Sequence, residues 1–321
     1  MSLVHLVLAT EAQKAERDTV NYPAWGPPLS VEGYVVREQR LRGHAWPRAE
    51  LKTWLLCADS GEALASCETY RTDSFLRRAD GSLEPGDSFA IASVFTEERL
   101  RGKGYATRLM DLLAAELERT EPRAHSCLLF SDVGAPIYRR SGYRETPVWD
   151  WRLTPEPAEP AEGVDRLLQE TDLSAALARM RKPEAPFFYW PTAAQLDWHL
   201  ERERIYSELL PRPRPEANGA TVGESTALWY MVGRSSTLLV MMFDARTAGD
   251  AAALLTAARR VAHRAGLSKV VLWEEPAAAP LLALVPGAVR EPRDGSLPML
   301  RPLRPGLDLS GPIPFPRALW V

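Results

Sequence analysis

The sequence predicts an α/β protein of two lobes, each built on a mixed, mostly antiparallel sheet flanked by helices. Three observations predict it. Hairpin strands, a long helix, a further strand and a short helix follow one another in the same order in both halves of the 321 residues. Between the halves lies TPEPAEPAEG at 154–163, a Pro-, Glu- and Ala-rich run with no apolar period, which reads as a semi-stiff linker. In the first half a strand runs through Arg-Gly-Lys-Gly straight into a helix. At roughly 100–200 residues per domain the chain divides in two. The expected division is 1–153, a linker at 154–165, and 166–321. The second half reads as a diverged duplicate of the first, on order of elements alone.

The elements follow from period and punctuation. LVHLVLA at 3–9 is an apolar run of strand length, and EAQKAERDTV and SVEGYVVREQRL have helical character. KTWLLCAD and EALASCETYRTDSFL are strands joined at Asp59-Ser60-Gly61, a hairpin signal. ADGSLEPGDS at 79–88 is rich in turn formers and reads as a loop. DSFAIASVFT alternates, with Phe89, Ile91, Ser93 and Phe95 on one face. In GYATRLMDLLAAELERT, Leu109, Leu112, Leu113 and Leu117 recur at helical spacing. HSCLLFSD is a strand, GAPIYRRSG a short helix or turn, and YRETPVWDWRL closes the first half with a strand.

The second half opens with a helix expected at about 164–181 and the aromatic run PFFYW. Thr192 and Gln195 have capping-box spacing before the helix TAAQLDWHLERERIYSELL. TALWYMV turns at Gly233-Arg234 into STLLVMMFD. TAGDAAALLTAARRVAHRAG is a helix ending on Gly266, SKVVLWEE a strand, and a short helix and a Pro-rich tail follow.

Composition narrows the function. Hydrophobic residues make up 45% and charged residues 25%, enough for a core in each half. A net charge of −3 with interspersed arginines argues against nucleic acid or an anionic membrane as partner. Cys57, Cys67 and Cys127 are odd in number and widely spaced, so they read as reduced core thiols. The five histidines show no ligand spacing, and no metal is expected. MSLVHLVLAT is too short and too quickly followed by charge for a leader or a membrane span, so a cytoplasmic protein is expected.

The junction Arg99-Leu100-Arg101-Gly102-Lys103-Gly104 needs a reason, because glycines cost helix stability. The first N–H groups of a helix have no partner within it, and with the helix dipole they attract an anion. Glycine lets that anion approach the backbone, and three cations add charge. A pyrophosphate fits all of these features. A dinucleotide-binding fingerprint does not, because Thr107 stands where its third glycine belongs.

R-x-x-G-x-G between a strand and an amphipathic helix resembles the acyl-coenzyme-A motif of the GNAT N-acetyltransferase superfamily. Tyr138, four residues before Gly142-Tyr143, matches that superfamily's pattern after the next strand. ASCET (65–69), IASVFT (91–96), RGKGYA (101–106) and FSDVGAPIY (130–138) resemble the fungal lysine N6-acetyltransferases, which follow a GNAT domain with a degenerate GNAT-like one. The resemblance implies acetyl-CoA as co-substrate. The pantetheine arm would meet the backbone of Val94 and Phe95, and the pyrophosphate the backbone from Leu100 through Tyr105 to Ala106. Tyr138 would be the general acid that protonates the leaving thiolate; a packing aromatic is its other reading.

The acceptor side is less determined. Glu68, mid-strand among small and apolar residues, is the leading base or amine-binding group; a solvated face or an ion pair with arginine also accounts for it. Asp132 is expected either to hold a cationic amine or to cap a turn. His199 is read as a structural helical histidine or a substrate contact. Val321 brings a terminal carboxylate as a possible base, or a frayed end. In FDARTAGDAAALL of the second half, Gly249 stands without the motif, and Asp244 and Asp250 would repel phosphate, so that half is expected to wall the acceptor cleft rather than bind coenzyme A. The expected function is acetylation of a small amine, free L-lysine at its ε-nitrogen first. An aminoglycoside, a polyamine, a protein amine, or a non-catalytic acyl-CoA-binding module are the alternatives.

Overall fold

A computed structural model describes residues 4–157 and 163–321. Leu3 and residues 158–162 of the expected linker lie outside the described residues. Strand β1 (Val4–Leu8) leads to α1 (Glu11–Trp25), where Thr10 caps the Gln13 N–H and Gln13 reaches back to the Thr10 N–H at 2.9 Å. Helices α2 (Val31–Gly43) and α3 (Ala45–Glu50) follow. Then come β2 (Leu51–Ala58), β3 (Ala63–Arg77) and β4 (Leu83–Phe95). Helix α4 (Tyr105–Thr120) crosses over to β5 (Ala124–Ser131), and α5 (Pro136–Arg140), β6 (Arg144–Glu145) and β7 (Trp149–Leu153) end this half.

The second half runs β8 (Arg166–Leu168), α6 (Leu173–Arg179), β9 (Phe187–Tyr189), α7 (Ala193–Leu209), β10 (Gly219–Val222), β11 (Ser225–Val232) and β12 (Thr237–Asp244). It continues through α8 (Ala248–Arg264), β13 (Lys269–Trp273), α9 (Ala279–Leu282), β14 (Val289–Pro292) and β15 (Leu297–Pro302). Among the described residues no helix is long and apolar enough to cross a membrane.

Two sheets result, and each borrows from the other half of the chain: the first takes β9 and β15, the second takes β7. The first has the order β1-β2-β3-β4-β5-β15-β6, with β9 paired to the far end of β3. The second has the order β14-β7-β13-β12-β11-β10-β8. In each, antiparallel strands lead to one parallel pair joined through a helix, β4 with β5 and β12 with β13. Beyond that pair comes a strand from the other half. The strand expected to close the first half, β7, therefore lies in the second sheet, and β15, inside the expected Pro-rich tail, lies in the first. The chain division at 153–166 does not coincide with the division between the sheets.

Three further expectations change. Residues 83–88, expected as loop, belong to β4, because the β3–β4 hairpin runs out to Arg77/Leu83. Pro85 is tolerated there because β5 pairs with β4 only from Asp87 onward, so no ladder needs its missing N–H. The helix expected at 164–181 is strand β8 followed by the short α6, since Arg166–Leu168 pair with β10. Thr192 does cap the Gln195 N–H at 3.2 Å, but the Gln195 side chain leaves the box to bond Thr72 and the Ala318 carbonyl.

Helix α4 covers one face of the first sheet, with Leu109, Met110, Leu113 and Leu117 fully buried against Phe89, Ile91 and Cys127. Helix α7 covers the other, where Trp198 packs with Trp46 and Tyr70. Ion pairs from Arg40 to Glu201 and Glu208, and a hydrogen bond between His44 Nε2 and Asp197, fix α7 to α2 and α3.

One glycine in the hairpin is fixed by space. A Cβ on Gly86 would sit 2.3 Å from the His125 ring, which the Ser74 hydroxyl holds at 2.9 Å. Gly86→Ala is expected to cost about 1–3 kcal/mol, as overpacking does, and to lower the urea midpoint accordingly. An unchanged midpoint would show that the ring swings aside freely.

Candidate active site

The site begins where two parallel strands part. Pairing of β4 with β5 runs from Asp87/Ala124 to Ile91/Leu129 and ends, although β4 continues to Phe95 and β5 to Ser131. On its other edge β4 carries one residue more than β3 between Ala92/Glu68 and Phe95/Ser66. Ser93 takes φ of 52° in this bulge, a left-handed conformation costly for a residue other than glycine. The alternation expected for β4 breaks here: Val94 joins the face of Phe89 and Ile91 under α4, whereas Ser93 lines a cavity on the opposite face. Phe95 packs edge-on against Trp25.

The glycine turn follows. Gly102 and Gly104 have φ of 76° and 79°, and a Cβ on either would meet nothing within 4 Å. Backbone conformation, not crowding, selects glycine, and the surrounding space is open. Gly104 caps α4 without a side-chain partner. Among the described residues no acceptor takes the N–H groups of Gly102 through Thr107; the first helical bond is Arg108 to Gly104. Among the described residues Arg101, Lys103 and Arg108 form no ion pair, whereas Arg99 turns to Glu62 and Glu97. Leu100 is a core residue, so only its backbone is free for a ligand.

Tyr138, on α5, lies under the parted strands with Cys67, Val94 and Tyr105. Its hydroxyl has no protein partner among the described residues and, unlike that of Tyr143, is not sealed from solvent. Burial, aided by Cys67 and Asp132, pushes its pKa up to about 12, so the phenol keeps its proton at neutral pH.

Glu68 occupies the next position along β3 after Cys67 and therefore projects from the other face, into a cavity roofed by α2, α7 and the tail. Ser93 donates to its carboxylate at 3.1 Å and Tyr70 at 3.4 Å. Burial first, then the nearby Glu38, push its pKa up to about 7 against the pull of Arg42. Arg42 is engaged by Asp18, and Arg37 by Glu38 and the Tyr206 hydroxyl.

Val321 lines this cavity with Glu68. Asp132 and His199 do not. Asp132 is exposed and accepts from the Ser296 N–H at 2.7 Å, tying β5 to the loop before β15. His199 is fully buried; its Nε2 bonds the Ala318 carbonyl at 3.0 Å, and burial holds the ring neutral. That bond joins α7 to the tail. Sequence reasoning missed Tyr70, Arg202 and Arg317, which line the cavity from three distant segments and carry no local motif.

Parted parallel strands, a bulge, and a glycine turn opening a helix define an acyltransferase of the GNAT kind. The model of the acetyltransferase (GNAT) family matches residues 21–142, and that of the LYC1 GNAT-like C-terminal domain matches residues 161–310. The chain thus carries a GNAT acetyltransferase domain followed by a LYC1-like C-terminal GNAT domain, and it is an acyltransferase. A lysine acetyltransferase of Yarrowia lipolytica is 24% identical over 325 residues, spanning 81% of this chain and 82% of that one. A probable N-acyltransferase of Enterococcus faecalis shares the fold with a TM-score of 0.63 at 14% identity, over 94% of this chain and 73% of that one. A GCN5-related N-acetyltransferase of Kribbella flavida does so at 0.57 and 16%, over 94% and 71%. The GNAT family uses acetyl-CoA.

The Glu68 environment makes a stability prediction. Its pKa rises from 4.5 to about 7 on folding, so the native state holds the extra proton between those values. Stability from this group is full below about pH 4.5 and is lost as pH rises through about 7, by at most about 3 kcal/mol. Glu68→Gln is expected to raise the melting temperature at pH 8 and to flatten its dependence across pH 5–7. A variant that melts lower than wild type at pH 8 would contradict the strained carboxylate.

Proposed function

We propose that the enzyme transfers acetyl from acetyl-CoA to a small primary amine, with the ε-amine of free L-lysine as first acceptor, by direct attack in a ternary complex. One observation carries the reading: Tyr138 and Glu68 stand on opposite faces of the sheet where β4 and β5 part, a proton donor on one side and a proton acceptor on the other. The distant relation to an enzyme named lysine acetyltransferase supports the acceptor.

The residues present fit the coenzyme. Unpartnered N–H groups from Gly102 to Thr107, the space around both glycines, and Arg101, Lys103 and Arg108 suit a pyrophosphate. The backbone of Val94 and Phe95, freed from β5, suits the pantetheine amides. Once bound, the coenzyme supplies an acetyl group activated as a thioester. A lysine ammonium with a pKa of about 10.4 is neutral in only about one molecule in a thousand at pH 7. Glu68, balanced near 7, takes up the proton that the amine must lose. Tyr138, protonated throughout, offers its phenolic proton to the departing sulfur. Ser93 holds Glu68 toward the gap.

At a coenzyme A concentration about a hundred times its Kd, stabilisation of about 2.7 kcal/mol is expected, visible as a rise in melting temperature. The absence of any rise would remove the coenzyme site. Thiol release on adding L-lysine is expected to fall by about 10²–10⁴ in kcat for Tyr138→Phe; an unaltered kcat would reduce the tyrosine to packing. The wild-type kcat/KM should rise with pH through about 7, as Glu68 loses its proton, and that limb should be missing in Glu68→Gln.

A further inference from the structure

The cavity beside Glu68 has a charged end that the transfer chemistry does not use. Four of its arginines divide sharply. Arg37 and Arg42, from the first half, are neutralised by Glu38 and Asp18. Arg202, from α7, and Arg317, from the tail, form no ion pair among the described residues. Both carry an Nη1 atom that is buried and has no hydrogen-bond partner. Arg317 is nearly inaccessible as a residue, at 5% exposure. An unpaired buried cation is among the costliest arrangements in a protein.

The two guanidinium groups share an aromatic neighbour. Arg202 lies 4.7 Å and Arg317 4.2 Å from the centre of the Trp320 ring. Arg202 also lies over Trp198 at 5.1 Å, and Arg317 over Trp273 at 4.9 Å. Such faces offset part of the desolvation of a cation without occupying its in-plane N–H donors. Those donors remain for an acceptor entering from the cavity. Exposed Arg234 stands at the same wall. Glu68 marks the other end of the same wall: Tyr70 bonds Glu68 and packs against Trp198, on which Arg202 rests. The cavity therefore carries the Glu68 carboxyl group and, by the tail that also brings Val321 to its wall, two guanidinium groups with no ion pair among the described residues.

We infer that Arg202 and Arg317 form a clamp for the carboxylate of the acceptor, so that the enzyme selects free amino acids over amines lacking a carboxylate. This inference rests on the acetyl-transfer reading above and adds the acceptor's anionic end to it. A peptide-bound lysine, whose carboxyl is an amide, is disfavoured by the same clamp.

The test compares L-lysine with cadaverine, which has the same primary amine and no carboxylate, and with L-lysine amide. Wild-type kcat/KM is expected to favour L-lysine over either by at least about thirtyfold, the cost of leaving a buried charge unpaired. In Arg202→Gln that ratio is expected to fall toward one. Titration calorimetry of the three amines into the coenzyme-loaded protein gives the same comparison without turnover and, on wild type, without depending on a variant's folding. Acetylation of all three amines at similar rates would overturn the clamp and leave the transferase reading intact. Failure of every amine to react, with L-lysine still bound in preference to cadaverine, would overturn the transferase reading and leave the clamp. A lower melting temperature of Arg202→Gln with an unchanged ratio would show that the arginine serves only packing, and no preference in calorimetry would refute the inference outright.

Discussion

Each sheet is completed by a strand from the opposite half of the chain, and the rest of the structure depends on that exchange. β15 lies between β5 and β6, and β7 lies between β13 and β14. Buried strand backbones need both neighbours for their N–H and C=O groups, so neither sheet can close without the other lobe. The crossing is reinforced by a buried pair, Arg293 with Asp150 at 2.7 Å, whose guanidinium lies 3.8 Å over Trp273. Separating the lobes would break two ladders and strand that pair. The two lobes are consequently held in one arrangement, and α7 and the tail are pressed against the face of the first sheet that bears Glu68. The cavity is a product of topology before it is a product of any single side chain.

Wherever chemistry is local, the sequence reveals it. Gly102 and Gly104 announce their turn because only glycine readily takes a positive φ, and α4 announces itself by its leucines. Glu68 stood out because a carboxyl in an apolar strand demands an explanation. What the sequence conceals is arrangement. The bulge at Ser93 interrupts an alternation that continues unbroken in the letters, so Ser93 and Val94 take the faces opposite to those the alternation predicts. β15 contains Pro298 and Pro302, and it pairs with strands far back in the chain, Leu297 with Ser131 and Met299 with Glu145, so no nearby pattern signals it. Arg202 and Arg317 look like ordinary surface arginines until the fold places both on one cavity wall. Asp132 and His199 showed the converse: suggestive residue types that the fold spends on fastening loops.

The sheet also separates two protonation states. Burial raises both acids, but from different starting points. A phenol moved up to about 12 is more securely protonated at neutral pH, whereas a carboxyl moved up to about 7 becomes able to exchange its proton there. Burial on either face of the sheet thus keeps the Tyr138 phenol protonated and lets Glu68 exchange its proton near neutral pH, the division that the proposed transfer uses. Adjacent positions on β3 supply this division through the alternation of a pleated strand: Cys67 faces the tyrosine, and Glu68 faces the cavity.

The second lobe has the same plan and a different helix entrance. α8 starts at Thr247, whose hydroxyl accepts from the Asp250 N–H at 3.1 Å, and Asp250 in turn accepts from Ser225. Asp244, at the end of β12, is bound by Arg181. Side chains of the lobe itself thus occupy the donors that the glycine turn leaves open in the first lobe, and two carboxylates stand where an incoming phosphate would need cations. A fold retained without its anion site has been freed to serve another purpose. In the proposed division of labour, that purpose is to deliver α7 and the tail: the first lobe holds the coenzyme and the proton-transfer groups, and the second supplies the walls and cations against which an acceptor is measured.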